Sequence, residues 1–124
     1  MHTVFVDTSV WVDHLRRGEP LLLDFLSAGQ VATHPFVLGE LACGNLSNRA
    51  EILALLAALP WVTLATHDEV LHLVARYKLC GKGLGWIDMH LLASARISQL
   101  PFWTRDRRLA AVARILGLAE NQGA

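Results

Sequence analysis

The chain has 124 residues, enough for one sizeable hydrophobic core and not for two, so residues 1–124 are read as a single domain with one active surface. Hydrophobic residues make up 53% and charged residues 18%; this exceeds what a small lone domain needs to bury and points to a homodimer or a bound partner. Eleven Lys and Arg balance eleven Asp and Glu, which excludes a global charge field and leaves the local distribution to decide any affinity for nucleic acid.

The elements follow in chain order. Residues 3–6 read as a strand, and Thr8 or Ser9 can cap a helix whose apolar positions Val10, Trp11 and Leu15 fall at helical spacing. A second helix is predicted over 20–27 with Pro20 in its first turn, then a short strand over 30–33. Pro35 starts a helix through Cys43, and Ser47 or Asn48 caps another that stops before Pro60. Residues 61–64 read as a third strand and 68–77 as a helix with acids in its first turn, where they suit the dipole. Glycines punctuate the connector 81–85, followed by a helix over 86–98, a strand over 101–103, and a last helix ended by Gly117. Strands alternating with helices imply an α/β class, with a short parallel sheet covered on both faces.

In such sheets the functional crevice lies beyond the carboxyl ends of the strands. Asp7 follows the first strand at that edge, and Asp106 lies just past the strand containing Phe102 and Trp103. Glu40 and Asp88 sit in apolar helical segments, where a charge is costly unless it faces solvent or serves a purpose. Taken singly, each acid has a structural explanation; for Asp88 it is the helix dipole. Taken together, carboxylates in one pocket repel one another until a cation or proton relieves the field. Oxygen-only donors of this kind suit Mg²⁺ or Mn²⁺, which bind phosphate oxygens and support phosphodiester hydrolysis.

The segments 4–11 (VFVDTSVW), 38–42 (LGELA), 85–95 (GWIDMHLLASA) and 102–109 (FWTRDRRL) resemble the successive motifs of the PIN-domain family, most closely its VapC-type toxins. The resemblance spans nearly the whole chain. It implies a PIN-like fold with four or five parallel strands flanked by helices, and a Mg²⁺-dependent endoribonuclease (Mn²⁺ being an alternative ion) of a toxin–antitoxin pair. It further implies a cognate VapB-type antitoxin and a homodimer. By the same resemblance Asp7, Glu40, Asp88 and Asp106 are the catalytic and metal-contacting acids, with Asp7 and Asp88 foremost. Ser9 and Thr104 match positions where a hydroxyl supports the acids; their plain alternatives are a helix cap and a strand-end hydroxyl. Met89 and His90 after Asp88 make the third motif less acidic than in some relatives, leaving the number of ions open.

The segment 104–114 holds four Arg against one Asp, a local positive surface. Arg105 and Arg107, with Lys82 in the glycine connector, are candidates to hold an RNA backbone, which positions the strand without reading bases. The histidines His2, His14, His34, His67, His72 and His90 show no zinc spacing and are expected mostly at the surface. Trp11, Trp61, Trp86 and Trp103 are expected in the core or an interface more readily than stacked on bases.

Cys43 and Cys80 form no CxxC pair, which fits a reducing cytoplasm. Met1 leads directly into a strand, so no secretory signal is expected, and the apolar run 52–62 is interrupted by Pro60 and too short to cross a bilayer. A DxDxT phosphatase fails because the sequence reads D7-T8-S9. A receiver-like phosphoacceptor module fails for want of an acceptor Asp after a central strand and a Lys after the last. The rival that survives is a non-catalytic PIN-like module binding RNA or a protein.

Overall fold

The computed structural model describes residues 2–119. Val4, Phe5 and Val6 form β1 (Val4–Val6), and all three are fully buried. Alternate side chains of a strand point to opposite faces, so this uniform burial means that both faces of β1 are covered. The element order is then α1 (Thr8–Arg17), α2 (Pro20–Ser27), β2 (Val31–Ala32), α3 (Pro35–Ala42), α4 (Arg49–Ala57), α5 (His67–Arg76), α6 (Trp86–Ser98), β3 (Phe102–Trp103) and α7 (Arg107–Ile115).

The sheet is parallel in the order β2-β1-β3. Val4 pairs with Val31 and Phe5 with Ala32 on one side, while Phe5 pairs with Phe102 and Val6 with Trp103 on the other. Two isolated parallel bridges, Thr33 to Trp61 and Phe102 to Ala119, extend it by one position at each edge. Three strands plus two bridging segments make up the short sheet expected from the sequence. Phe5 and Phe102 pack across the β1–β3 pair with ring centroids 4.9 Å apart. The apolar stripes of the helices close over it, led by Val10, Leu22, Val37, Leu91, Leu92 and Leu109.

The predicted strand over 61–64 is reduced to the bridge at Trp61. Thr33 N–H donates to Pro60 O, and Val62 N–H to Thr33 O, both at 2.9 Å, which begins a parallel ladder. The next amides turn away: Thr63 N–H donates to Ser98 Oγ at 2.8 Å and Ala65 N–H to Ser94 Oγ at 3.0 Å. The Thr63 and Ala65 amides alternate away from β2 as they would in any strand; the ladder stops because its partner turns into α3 at Pro35.

Thr66 and Glu69 form a reciprocal capping box on α5, the pattern that fixes a helix entry. The cap expected from Thr8 or Ser9 on α1 is absent: Asp7 holds the N-cap position and no side chain caps the helix. Asn48 occupies the N-cap of α4 in a left-handed conformation (φ 53°), again without a side-chain cap bond. Among the described residues no helix is long and apolar enough to cross a membrane.

Candidate active site

The centre strand of this sheet ends at Val6, and both of its neighbours run parallel to it. The segments that leave their carboxyl ends therefore emerge at one edge: Asp7 into α1, His34 into α3, and residues 104–106 into α7. This is the crevice where α/β sheets place their ligands.

Asp7 answers why a carboxylate should follow an apolar strand. Although Asp7 stands at the N-cap of α1, its side chain does not cap the helix, and the residue is only 6% exposed. Its Oδ2 instead accepts two hydroxyl hydrogen bonds, from Ser9 Oγ at 2.8 Å and from Thr104 Oγ1 at 2.7 Å. Both fall on the same oxygen, which leaves Oδ1 for another partner. The two hydroxyls are fixed in turn by backbone amides. Ser9 Oγ accepts from Arg105 N–H at 2.9 Å and Thr104 Oγ1 accepts from Asp106 N–H at 3.1 Å. A buried acid is thus aimed by two hydroxyls whose own orientation is set by the loop after β3.

The charge of Asp7 acts on Glu40 and Asp88, and that of Asp106 on Asp88. Thr8 Oγ1 donates to Glu40 Oε1 at 3.3 Å, bringing α3 to the start of α1. Asp88 Oδ2 accepts from Gly85 N–H at 3.2 Å, and Asp106 Oδ1 accepts from Leu109 N–H at 3.1 Å. Each of these last two uses one oxygen to hold the first turn of its helix, so for Asp88 and Asp106 the structural explanation holds for half the carboxylate.

Their electrostatics tie the set together. Burial pushes the Glu40 carboxyl above its usual range, the charge of Asp7 pushes it further, the Thr8 bond partly offsets this, and Asp88 adds to it. Asp88 is likewise raised, first by burial, then by Asp7 and Asp106, against the lowering effect of the Gly85 amide. Carboxyls raised by burial and by neighbouring like charge are candidates for a functional site.

Among the described residues no three His, Cys, Asp or Glu side chains converge closely enough to form a ligand cage by themselves. The donor set still fits a hard divalent cation. Mg²⁺ keeps several waters and takes only one or two carboxylates directly, and Asp7 Oδ1, with the free oxygens of Asp88, Glu40 and Asp106, offers that kind of site. A cation there would offset the share of these shifts that comes from neighbouring carboxylates.

Around the acids, Lys82, Arg107 and Arg108 are exposed. Arg107 and Arg108 open α7, at the end of the dipole that disfavours cations. Arg108 lies across the glycine connector: a side chain at Gly83, where φ is +79°, would stand 2.8 Å from its Nη1. Arg105 is different, because its guanidinium is engaged by Asp13 and Glu19.

Sequence reasoning missed Thr8, Asp13 and Glu19, whose signals are those of ordinary helix-end polar residues. His34 departs from the surface placement expected of most histidines. It is 2% exposed, stacks on Phe5, and its Nδ1 accepts from Phe36 N–H at 2.9 Å to cap α3. Burial, with the charge of His90 adding to it, lowers its pKa to about 4, so it stays neutral at physiological pH. Trp11 and Trp103 are buried, whereas Trp61 and Trp86 are exposed.

Comparison with known proteins places this geometry in context. Residues 4–115 match the PIN domain family. The chain is 44% identical over 117 residues to Ribonuclease VapC32 of Mycobacterium tuberculosis (strain CDC 1551 / Oshkosh), with 94% of each chain covered. The same identity and coverage hold for Ribonuclease VapC32 of Mycobacterium tuberculosis (strain ATCC 25618 / H37Rv).

Proposed function

The chain belongs to the PIN-domain family, and from that premise we propose that it is a Mg²⁺-dependent endoribonuclease acting as the toxin of a VapBC-type pair. The observation that carries this reading is Asp7: a buried carboxylate at a strand end, unused as a cap, aimed by two hydroxyls and raising Glu40 and Asp88 by its charge. Such a carboxylate is costly unless a cation uses it. Relatives named as ribonucleases, matched over nearly their whole length, support the choice of RNA as substrate.

In this reading Asp7 and Asp88 hold the ion, with Glu40 and Asp106 completing the shell directly or through water. A divalent cation bound there supplies an activated water and stabilises the leaving oxygen of the phosphodiester. Glu40, beside Thr8 at the start of α1, would help orient the attacking water. Lys82 and Arg107 hold the RNA backbone, reinforced by the N-terminal end of α7. Exposed apolar side chains, among them Leu55, Trp61, Leu71, Trp86 and Ile115, provide surface for a second copy and for the antitoxin.

Attack by water needs no 2′-hydroxyl nucleophile, so the products carry 5′-phosphate and 3′-hydroxyl ends. The test is to incubate the purified protein with total RNA in Mg²⁺ and in EDTA, and to map the ends. Cleavage in Mg²⁺ alone with those termini is the expected outcome. A 2′,3′-cyclic phosphate would overturn the mechanism, and cleavage equal in both buffers would remove the metal.

A further inference from the structure

Arg105 has the look of an RNA contact in the sequence, yet its charge is used inside the protein. Its Nη1 donates to Asp13 Oδ2 at 2.7 Å and its Nη2 to Glu19 Oε2, while its guanidinium carbon lies 5.8 Å from the centre of the Trp103 ring. Asp13 belongs to α1 and Glu19 is the N-cap residue of α2. Arg17, one turn beyond Asp13, adds a 3.4 Å contact to the same carboxylate. One side chain therefore ties the loop after β3 to both of the first two helices.

The backbone of the same residue reaches the acids. Arg105 N–H donates to Ser9 Oγ, and Ser9 donates to Asp7 Oδ2; the next amide, of Asp106, donates to Thr104 Oγ1, which also donates to Asp7 Oδ2. If the guanidinium lost its anchors, the loop would keep its backbone bonds to Ser9 and β1 but lose the side-chain tie that fixes its orientation on α1 and α2.

We propose that Arg105, Asp13 and Glu19 form an ionic clamp that positions the hydroxyls around Asp7, and with them Asp106, and that Arg105 is a positioning residue rather than an RNA contact. The planar fork of arginine, which can face two carboxylates at once, suits this task better than a lysine. The inference rests on the endoribonuclease reading for its kinetic consequence and not for its geometry.

The decisive comparison is between Arg105→Ala and the double variant Asp13→Ala/Glu19→Ala. A phosphate-binding Arg105 would be released by the double variant, and RNA binding would tighten or stay as it was. A clamp is broken equally from either side. Rate constants are measured on a labelled oligoribonucleotide spanning a cleavage site mapped in total RNA. Both variants should lose roughly tenfold or more in kcat, as sub-ångström misplacement of catalytic groups does, with KM little changed. Combining all three substitutions should cost no more than either set, because coupled residues are not additive. Arg105→Lys should recover part of the loss.

Amide hydrogen exchange provides the readout that does not depend on activity. The Arg105 and Asp106 amides should exchange faster in both variants, while melting temperatures stay near the wild type because partly exposed ion pairs add little stability. Wild-type kcat and unchanged exchange in Asp13→Ala/Glu19→Ala would overturn the clamp. So would an Arg105→Ala defect confined to KM. Should the wild-type protein cleave no RNA, the endoribonuclease reading fails, and the exchange rates still decide the clamp.

Discussion

Asp7→Asn is expected to lower RNA cleavage by at least roughly a hundredfold, a loss typical of damaged metal centres, while the protein remains folded. The two halves of this expectation come from different features. The fold should survive because Asn retains a carbonyl oxygen that can accept from Ser9 and Thr104, the two bonds that Asp7 Oδ2 receives, and because the strand before it is held by fully buried Val4, Phe5 and Val6. Activity should fall because the amide carries no charge for a cation. The substitution also removes a charge that raises both Glu40 and Asp88, so their carboxyl titrations should move down toward ordinary values. Steady-state cleavage, thermal melting and an NMR titration of the side-chain carboxyls check the three parts. Wild-type cleavage by Asp7→Asn would remove this residue from the chemistry.

The second large effect concerns metal and pH. Glu40 and Asp88 have folded-state pKa values above their ordinary ones of 4.5 and 3.8, so as pH rises the unfolded chain releases these protons first. The metal-free protein therefore loses stability from these groups as pH climbs through the interval between the ordinary and the raised values, and the penalty stays constant above it. Asp13 and Glu19 act in the opposite sense, since hydrogen bonds from Arg105 hold both carboxyls low. Their contribution is present near neutral pH and lost in acid; both groups are solvent-facing, so it is small.

A divalent cation should reverse the penalty. At a hundredfold excess over its Kd, a ligand specific to the folded state adds about 2.7 kcal/mol, or roughly 10 °C in melting temperature for a domain of this size. Mg²⁺ or Mn²⁺ should therefore raise Tm near neutral pH, and the rise should fade as the pH falls through the carboxyl range. Glu40→Gln, which keeps an acceptor for Thr8 and removes a charge, should melt higher than the wild type without metal and gain less from the ion. Calorimetric melts across pH, with and without metal, read all of this. Destabilisation by Glu40→Gln in metal-free buffer would contradict the repulsion.

How much of this could be read from the sequence depends on how local each cause is. The bounds of α2 and α6 follow the sequence closely because their signals are local: Pro20 in the first turn of one, Gly85 before the other. Asp7 is legible as a charge that interrupts apolar residues where a strand must end. The strand read over 61–64 shortens to a bridge because the segment it pairs with turns into α3 at Pro35, far away in the chain. Pattern and propensity carry no trace of that. The ionic clamp is hidden for the same reason, since Asp13 and Glu19 look like solvated helix-end charges until the fold brings Arg105 to them across 92 and 86 residues. His34 is the exception among histidines expected mostly at the surface, because one that caps a helix with Nδ1 can be buried neutral, a use that composition does not announce.

The ion's position is the most direct measurement. Crystals grown with Mn²⁺ and examined by anomalous diffraction should show a peak bound by Asp7 together with at least one of Glu40, Asp88 and Asp106. Manganese confined to other parts of the surface, in a protein that still cleaves RNA, would contradict it.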